Sequence, residues 1–120
     1  MSDEEYFRSC VSQERRLAYL LGCHNIEELY ESAGTLWEGT RALPKWTRDW
    51  QACGPLLSEY ALAIDYRQKE EDPNGKAIHI GHTVVHLSDH PSHDQALRYA
   101  IVKAVIAHLE HLQHRKHCAG

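Results

Sequence analysis

The chain has no run of apolar residues approaching the ~18 that cross a bilayer as a helix, and its opening residues, Met1 to Glu5, are polar and acidic. Neither a membrane span nor a secretory leader is expected. An excess of basic charge is also missing: 13 Lys and Arg stand against 17 Asp and Glu, a net charge of -4 at pH 7. That balance argues against binding to a nucleic-acid polymer, which needs a basic face to displace counterions. Ten histidines shift the balance towards positive near pH 6. The four cysteines, Cys10, Cys23, Cys53 and Cys118, form no close pair and no metal-ligand spacing. Reduced, mostly buried thiols and a cytoplasmic setting are expected. There is no internal repeat and no low-complexity tract. At 120 residues, one domain with one core is the expectation.

What the sequence does contain is a long closing helix, predicted over 92–117. Leu97, Ile101, Ala104, Val105, Leu109 and Leu112 recur in steps of three and four, which places them on one stripe. Ser92 is placed to cap its start and Asp94 to meet the positive end of its dipole, while Arg115, Lys116 and His117 suit its last turn. The other elements are expected to assemble against it.

Upstream, residues 1–11 read as a flexible arm or short helix. Residues 12–34 read as a helical hairpin: Ser12 opens the first helix, Gly22 closes it, and Asn25 caps a second helix over 26–32, closed by Gly34. Thr35 to Lys45 has no clean period and is expected as a loop, with Trp37 as a lid or an exposed contact. A helix is predicted over 46–60 with Thr47 as its cap, interrupted at Gly54-Pro55. Over 61–88 the period falls to two. Leu62, Ile64 and Tyr66 alternate, Asp72-Pro73-Asn74-Gly75 is a turn, and Ala77, Ile78 and Ile80 return; Gly81 bends the chain before Val84, Val85 and Leu87. The fold class that follows is α+β: a small antiparallel sheet of two to four strands, packed with N-terminal helices and one long C-terminal helix.

No catalytic motif stands out. His108, His111, His114 and His117 recur every third residue, but nine residues at about 100° each put the first and last on opposite sides of a helix. A histidine-based metal centre is one reading; a solvated, partly cationic helix end is the other, and no metal or cofactor is assigned. His79, His82, His86, His90 and His93 flank the second strand and the turn after it, as a polar pocket rim or as a hydrolytic cluster. Trp46 and Trp50 bracket Arg48 and Asp49 at a helix start. Planar rings, a guanidinium and free backbone N–H groups together suit a base and a phosphate. The competing reading is that the tryptophans anchor the core. Arg98 and Lys103 lie off the main stripe of the long helix and either reach a phosphate or are solvated. The candidate ligand-binding set is therefore Trp46, Arg48, Asp49, Trp50, His82, Arg98 and Lys103, with no catalytic residue assigned.

Two stretches carry a resemblance: Leu17-Ala18-Tyr19-Leu20-Leu21-Gly22, and Leu43-Pro44-Lys45-Trp46-Thr47-Arg48-Asp49-Trp50-Gln51-Ala52-Cys53-Gly54-Pro55-Leu56-Leu57. With Pro91, Leu97 and Arg98 at the closing helix, this pattern resembles the phage ABA-sandwich family of small phage proteins. The histidine-rich segment 81–90 and the histidine tail depart from that pattern. The resemblance implies a phage anti-defence protein that binds a host nucleotide immune signal, of the cyclic ADP-ribose type or a cyclic oligonucleotide, and sequesters it without cleavage. It implies a homo-oligomer with pockets between subunits, acting in the host cytoplasm. Two alternatives stand beside it: a hydrolase of such a signal using the His79 to His93 cluster, and an oligomeric inhibitor that binds a host protein.

Overall fold

The computed structural model describes residues 2–29, 33–68 and 75–119. The fold is α+β, with three α-helices and two three-stranded antiparallel sheets. Helix α1 spans Asp3–Leu20. Ser2 caps it by accepting from the Glu5 N–H at 3.2 Å, and Asp3, Glu4 and Glu5 fill its first turn. Of the two readings of the acidic opening, a flexible arm or a short helix, the structure has the helix, as the start of α1: three carboxylates are favourable at the positive end of the dipole. Its buried side is Cys10, Val11, Glu14, Leu17 and Ala18. A carboxylate on that stripe hides its period from a purely apolar count. The helix ends in a Schellman turn. The Cys23 N–H reaches the Ala18 carbonyl, the Gly22 N–H reaches the Tyr19 carbonyl, and Gly22 takes φ +106°.

The second half of the expected helical hairpin is instead a strand. β1 (Ile26–Glu28) pairs with β2 (Leu36–Glu38), which pairs with β3 (Arg41–Ala42), all antiparallel. Ile26 and Glu28 are half-buried while Glu27 is exposed, a period of two that three residues express too briefly to outweigh a cap signal. Residues 30–32 of the expected helix lie outside the described residues. The expected loop over 35–45 holds β2 and β3, joined by Gly39-Thr40 with Gly39 at φ +62°, a glycine-led two-residue hairpin. Trp37 is half-buried on β2.

Helix α2 covers Trp50–Glu59 and is capped by Asp49, which accepts from the Gln51 N–H at 3.0 Å. Thr47 is not the cap, because its hydroxyl is committed to Glu14. β4 (Asp65–Gln68), β5 (Lys76–Ile80) and β6 (Thr83–His86) form the second sheet in that order. β4 is exposed throughout. The expected half-buried strand through Leu62, Ile64 and Tyr66 is therefore corrected: Leu62 and Ile64 are half-buried before the strand, and Tyr66 is exposed on it. The turn predicted at Asp72 to Gly75 falls largely on residues 72–74, outside the described residues. Gly81-His82 makes a tight turn with Gly81 at φ +60°.

Helix α3 runs His93–Ala119. Ser92 Oγ accepts from the Gln95 N–H at 3.2 Å, as a cap should. Ala100, Ile101, Val102, Ala104, Val105 and Ile106 are all buried, so the middle of α3 is enclosed on most sides. It meets α1, α2, β5 and β6, and the core gathers Val11, Leu17, Leu56, Ile78 and Val85 around it. Leu112, expected on the apolar stripe, is exposed at 42%. Among the described residues no helix is long and apolar enough to cross a membrane.

Candidate functional site

A cavity of about 770 Å³ lies between the first turns of α1, the β6 to α3 connection and one face of α3. One part of its wall is aromatic. The Tyr6 hydroxyl lies 2.6 Å from His90 Nδ1, and the Tyr99 hydroxyl lies 2.7 Å from Ser9 Oγ. The His90 ring centroid is 5.3 Å from Tyr6, nearly edge-on, and 4.9 Å from Tyr99. Helical spacing explains the grouping. Tyr6 and Ser9 are i,i+3 on α1, and Tyr99 and Lys103 are i,i+4 on α3, so each pair shares a face. Pro91 breaks the chain before α3 and leaves His90 extended between the two helices.

Burial holds the His90 imidazole below its ordinary pKa, with nearby Lys103 acting the same way and Asp89 opposing. The same desolvation pushes the Tyr6 phenol well above its ordinary value. The phenol therefore keeps its proton and shares a hydrogen bond with a neutral ring.

A second cavity, about 360 Å³, lies on the other side of Tyr6. Phe7, Cys10, Thr47, Arg48, Gln95 and Arg98 line it, while Asp3, Tyr6 and Pro91 line both cavities. Burial raises the Cys10 thiol above its usual pKa, which makes it a packing group here rather than a thiolate.

Beneath the second cavity sits a buried polar network. Glu14 is 1% exposed. It accepts from the Thr47 N–H at 3.3 Å, from the Thr47 hydroxyl, from Arg48 Nε at 3.0 Å and from Arg48 Nη2 at 2.6 Å. Arg48 also donates to the Gly34 carbonyl at 3.0 Å and lies over the Phe7 ring at 5.3 Å. Arg98 Nε donates to the Thr47 carbonyl at 3.1 Å, and its guanidinium lies over Trp50 at 5.2 Å. Thr47 thus ties α1 and α3 to one point of the chain.

Of the residues named from sequence, Arg48 and Arg98 line the smaller cavity and Lys103 the larger. Trp46, Asp49, Trp50 and His82 line neither. Trp46 is a core anchor, 7% exposed. Asp49 caps α2, Trp50 is the face on which Arg98 rests, and His82 is exposed in the β5 to β6 turn. Arg48 faces a cavity but its donors are occupied. Of the five histidines from 79 to 93, His86 and His90 line the larger cavity. His93 lies against Tyr66 instead, at 5.4 Å. In the tail, His108 lies edge-on to Tyr60, and the His117 side chain lies outside what is described. Among the described residues no three His, Cys, Asp or Glu side chains gather into a metal-binding group.

Sequence reasoning missed Tyr6, Ser9, Glu14 and Tyr99. The three hydroxyl-bearing residues gave no individual signal, but a carboxylate on the buried stripe of α1 was one, since a charge there demands a partner. No protein-family model, curated protein or solved structure matches the chain.

Proposed function

We propose that this protein is a phage anti-defence protein that binds a small anionic nucleotide signal, of the cyclic ADP-ribose type or a cyclic oligonucleotide, and sequesters it without cleavage in the host cytoplasm. The observation that carries the reading is the larger cavity. Tyr6, His90 and Tyr99 offer ring faces and edges to a base, and Lys103 offers a cation that no carboxylate of the described residues pairs with. A volume of about 770 Å³ is in the range of small-molecule sites. Base–aromatic stacking is worth roughly 1–3 kcal/mol per base, so two or three rings suffice for useful affinity. The overall charge of -4 does not oppose this, because charges more than about 10 Å away are screened while Lys103 lines the cavity itself. The cavity opens at a surface lined by Ser2, Ser88 and Asp89, and a second copy of the chain is proposed to close it.

Hydrolysis is the second reading. It is favoured by one observation: a neutral His90, hydrogen-bonded to Tyr6, sits beside His86 in the same cavity. Both readings are decided by mixing untagged protein with a panel of nucleotide signals, filtering the protein away, and heating the retained fraction. Signal depleted from the filtrate and released intact supports sequestration. An altered product supports hydrolysis. Signal left in the filtrate refutes both and favours a protein partner.

A further inference from the structure

The two cavities meet at Tyr6, Asp3 and Pro91, with the Tyr6 to His90 hydrogen bond as the bridge between them. Each holds one cation with unoccupied donors. In the larger it is Lys103. In the smaller it is Arg98: its Nε is held by the Thr47 carbonyl and its plane by Trp50, and no carboxylate of the described residues pairs with its Nη groups. Arg48 does not compete for a ligand there, since its fork grips Glu14 and Gly34.

The two cations line different cavities. Arg98 and Lys103 are five residues apart on α3, which is about 7.5 Å along the axis and about 140° around it. They serve different faces of the helix, and each faces its own cavity.

We infer that the two cavities form one bipartite site, and that its ligand is a nucleotide with two separated phosphoryl groups, one met by Lys103 and the other by Arg98. This rests on the nucleotide-binding reading above and specifies its ligand class. Arg98 is suited to the second group because a guanidinium already fixed in plane presents its remaining donors as a pre-organised fork. Asp3, which lines both cavities, repels a phosphate placed close to it. That sharpens selection for a ligand whose charges lie away from the bridge.

The experiment is calorimetric titration of the untagged full chain with two probes, adenosine monophosphate and cyclic di-adenosine monophosphate. The two-phosphate probe is expected to bind at least ten-fold tighter. Arg98→Ala is expected to reduce its affinity to that of the monophosphate and to leave the monophosphate unchanged. Because Arg98 also stitches α3 to Thr47, a second variant keeps the test independent of stability. Gln95→Glu places a carboxylate in the smaller cavity and completes a Ser92-x-x-Glu capping box, so the helix start is strengthened rather than weakened. It should produce the same selective loss. Equal affinity for the two probes, or variants that weaken both probes alike, would overturn the bipartite site while leaving nucleotide binding intact. Binding of neither probe would overturn both.

Discussion

Replacing Glu14 with Ala is the perturbation whose magnitude the structure defines best. The carboxylate accepts from both the Thr47 N–H and its hydroxyl, and Thr47 is 2% exposed. Each buried donor left without a partner costs about 1–3 kcal/mol. Arg48 loses two contacts, but its side chain is 22% exposed and keeps the Gly34 carbonyl, so water can solvate much of what is freed. A fully buried pair broken on one side costs roughly 3–5 kcal/mol, and the exposure of Arg48 places this case at the lower end, near 3 kcal/mol. Urea unfolding at neutral pH, followed by far-ultraviolet circular dichroism, measures it. Glu14→Gln keeps the shape and one acceptor oxygen and should lose about half as much. An Ala variant within about 1 kcal/mol of the parent would refute the claim that this network fastens α1 to the chain around Thr47. The same variant should weaken the two-phosphate probe more than the monophosphate, because the Thr47 carbonyl positions Arg98.

Four further outcomes are expected. Ala61 ends α2 at φ +49°, where the Leu62 N–H reaches the Leu57 carbonyl, so Ala61→Gly should relieve left-handed strain and stabilise by about 0.5–1 kcal/mol in the same urea assay. Gly34→Ala should destabilise by about 2–4 kcal/mol: Gly34 sits at φ +77°, and an added Cβ would run into the Phe7 ring with Val11 Cγ2 at 3.1 Å. His90 binds its proton less readily folded than unfolded, so its contribution is present above about pH 6.5 and is lost as pH falls from there towards the folded pKa. Melting temperatures across that window should fall more steeply for the parent than for His90→Gln, and identical slopes would exclude the contribution. Burial pushes the Cys53 thiol up to about 12 and raises Cys10 as well, so iodoacetamide should modify both only after denaturation, as read by peptide mass.

Much of the fold was legible because two signals agreed where elements were long. The 3.6-residue period of α3 extends over several turns, and Ser92 and Asp94 mark its start in agreement with it. β5 and β6 are short, but Gly81 and the alternation of Thr83 and Val85 with Val84 and His86 support each other. The misread elements are those where local chemistry pointed two ways. Asn25, Glu27 and Glu28 suit a helix start, yet the pairing of Ile26 with Glu38 and Glu28 with Leu36 makes them a strand. That choice is settled by β2 and β3, which begin eight residues later, and no window around Asn25 contains them. At the N-terminus the reverse happened. A polar start reads as an arm or a short helix, although Ser2 with Glu5 is a capping pair and the carboxylates suit the dipole.

The candidate site was legible by chemistry and not by partner. Trp46, Arg48, Asp49 and Trp50 have the composition that grips a nucleotide, and they grip the protein instead. Trp46 fills the core, Arg48 and Thr47 hold Glu14, Asp49 caps α2, and Trp50 carries Arg98. A guanidinium meets a carboxylate and a phosphate with the same fork, so sequence cannot separate the two uses until the partner is located. Here the partner was present in the sequence as a glutamate on the buried stripe of α1, thirty-three residues away. The consequence reaches beyond this chain. A motif built of Thr, Arg, Asp and Trp around a helix start can be retained for holding two helices together, and ligand preference can then vary without touching it. In this protein the cavity side chain free of such structural duty is the exposed Lys103, whereas Tyr6, Tyr99 and Arg98 are each held by a hydrogen bond. Exchanging Lys103, with the Glu14 network kept, should alter binding of the nucleotide probes while the melting temperature stays close to the parent's; exchanging Arg48 should do the opposite.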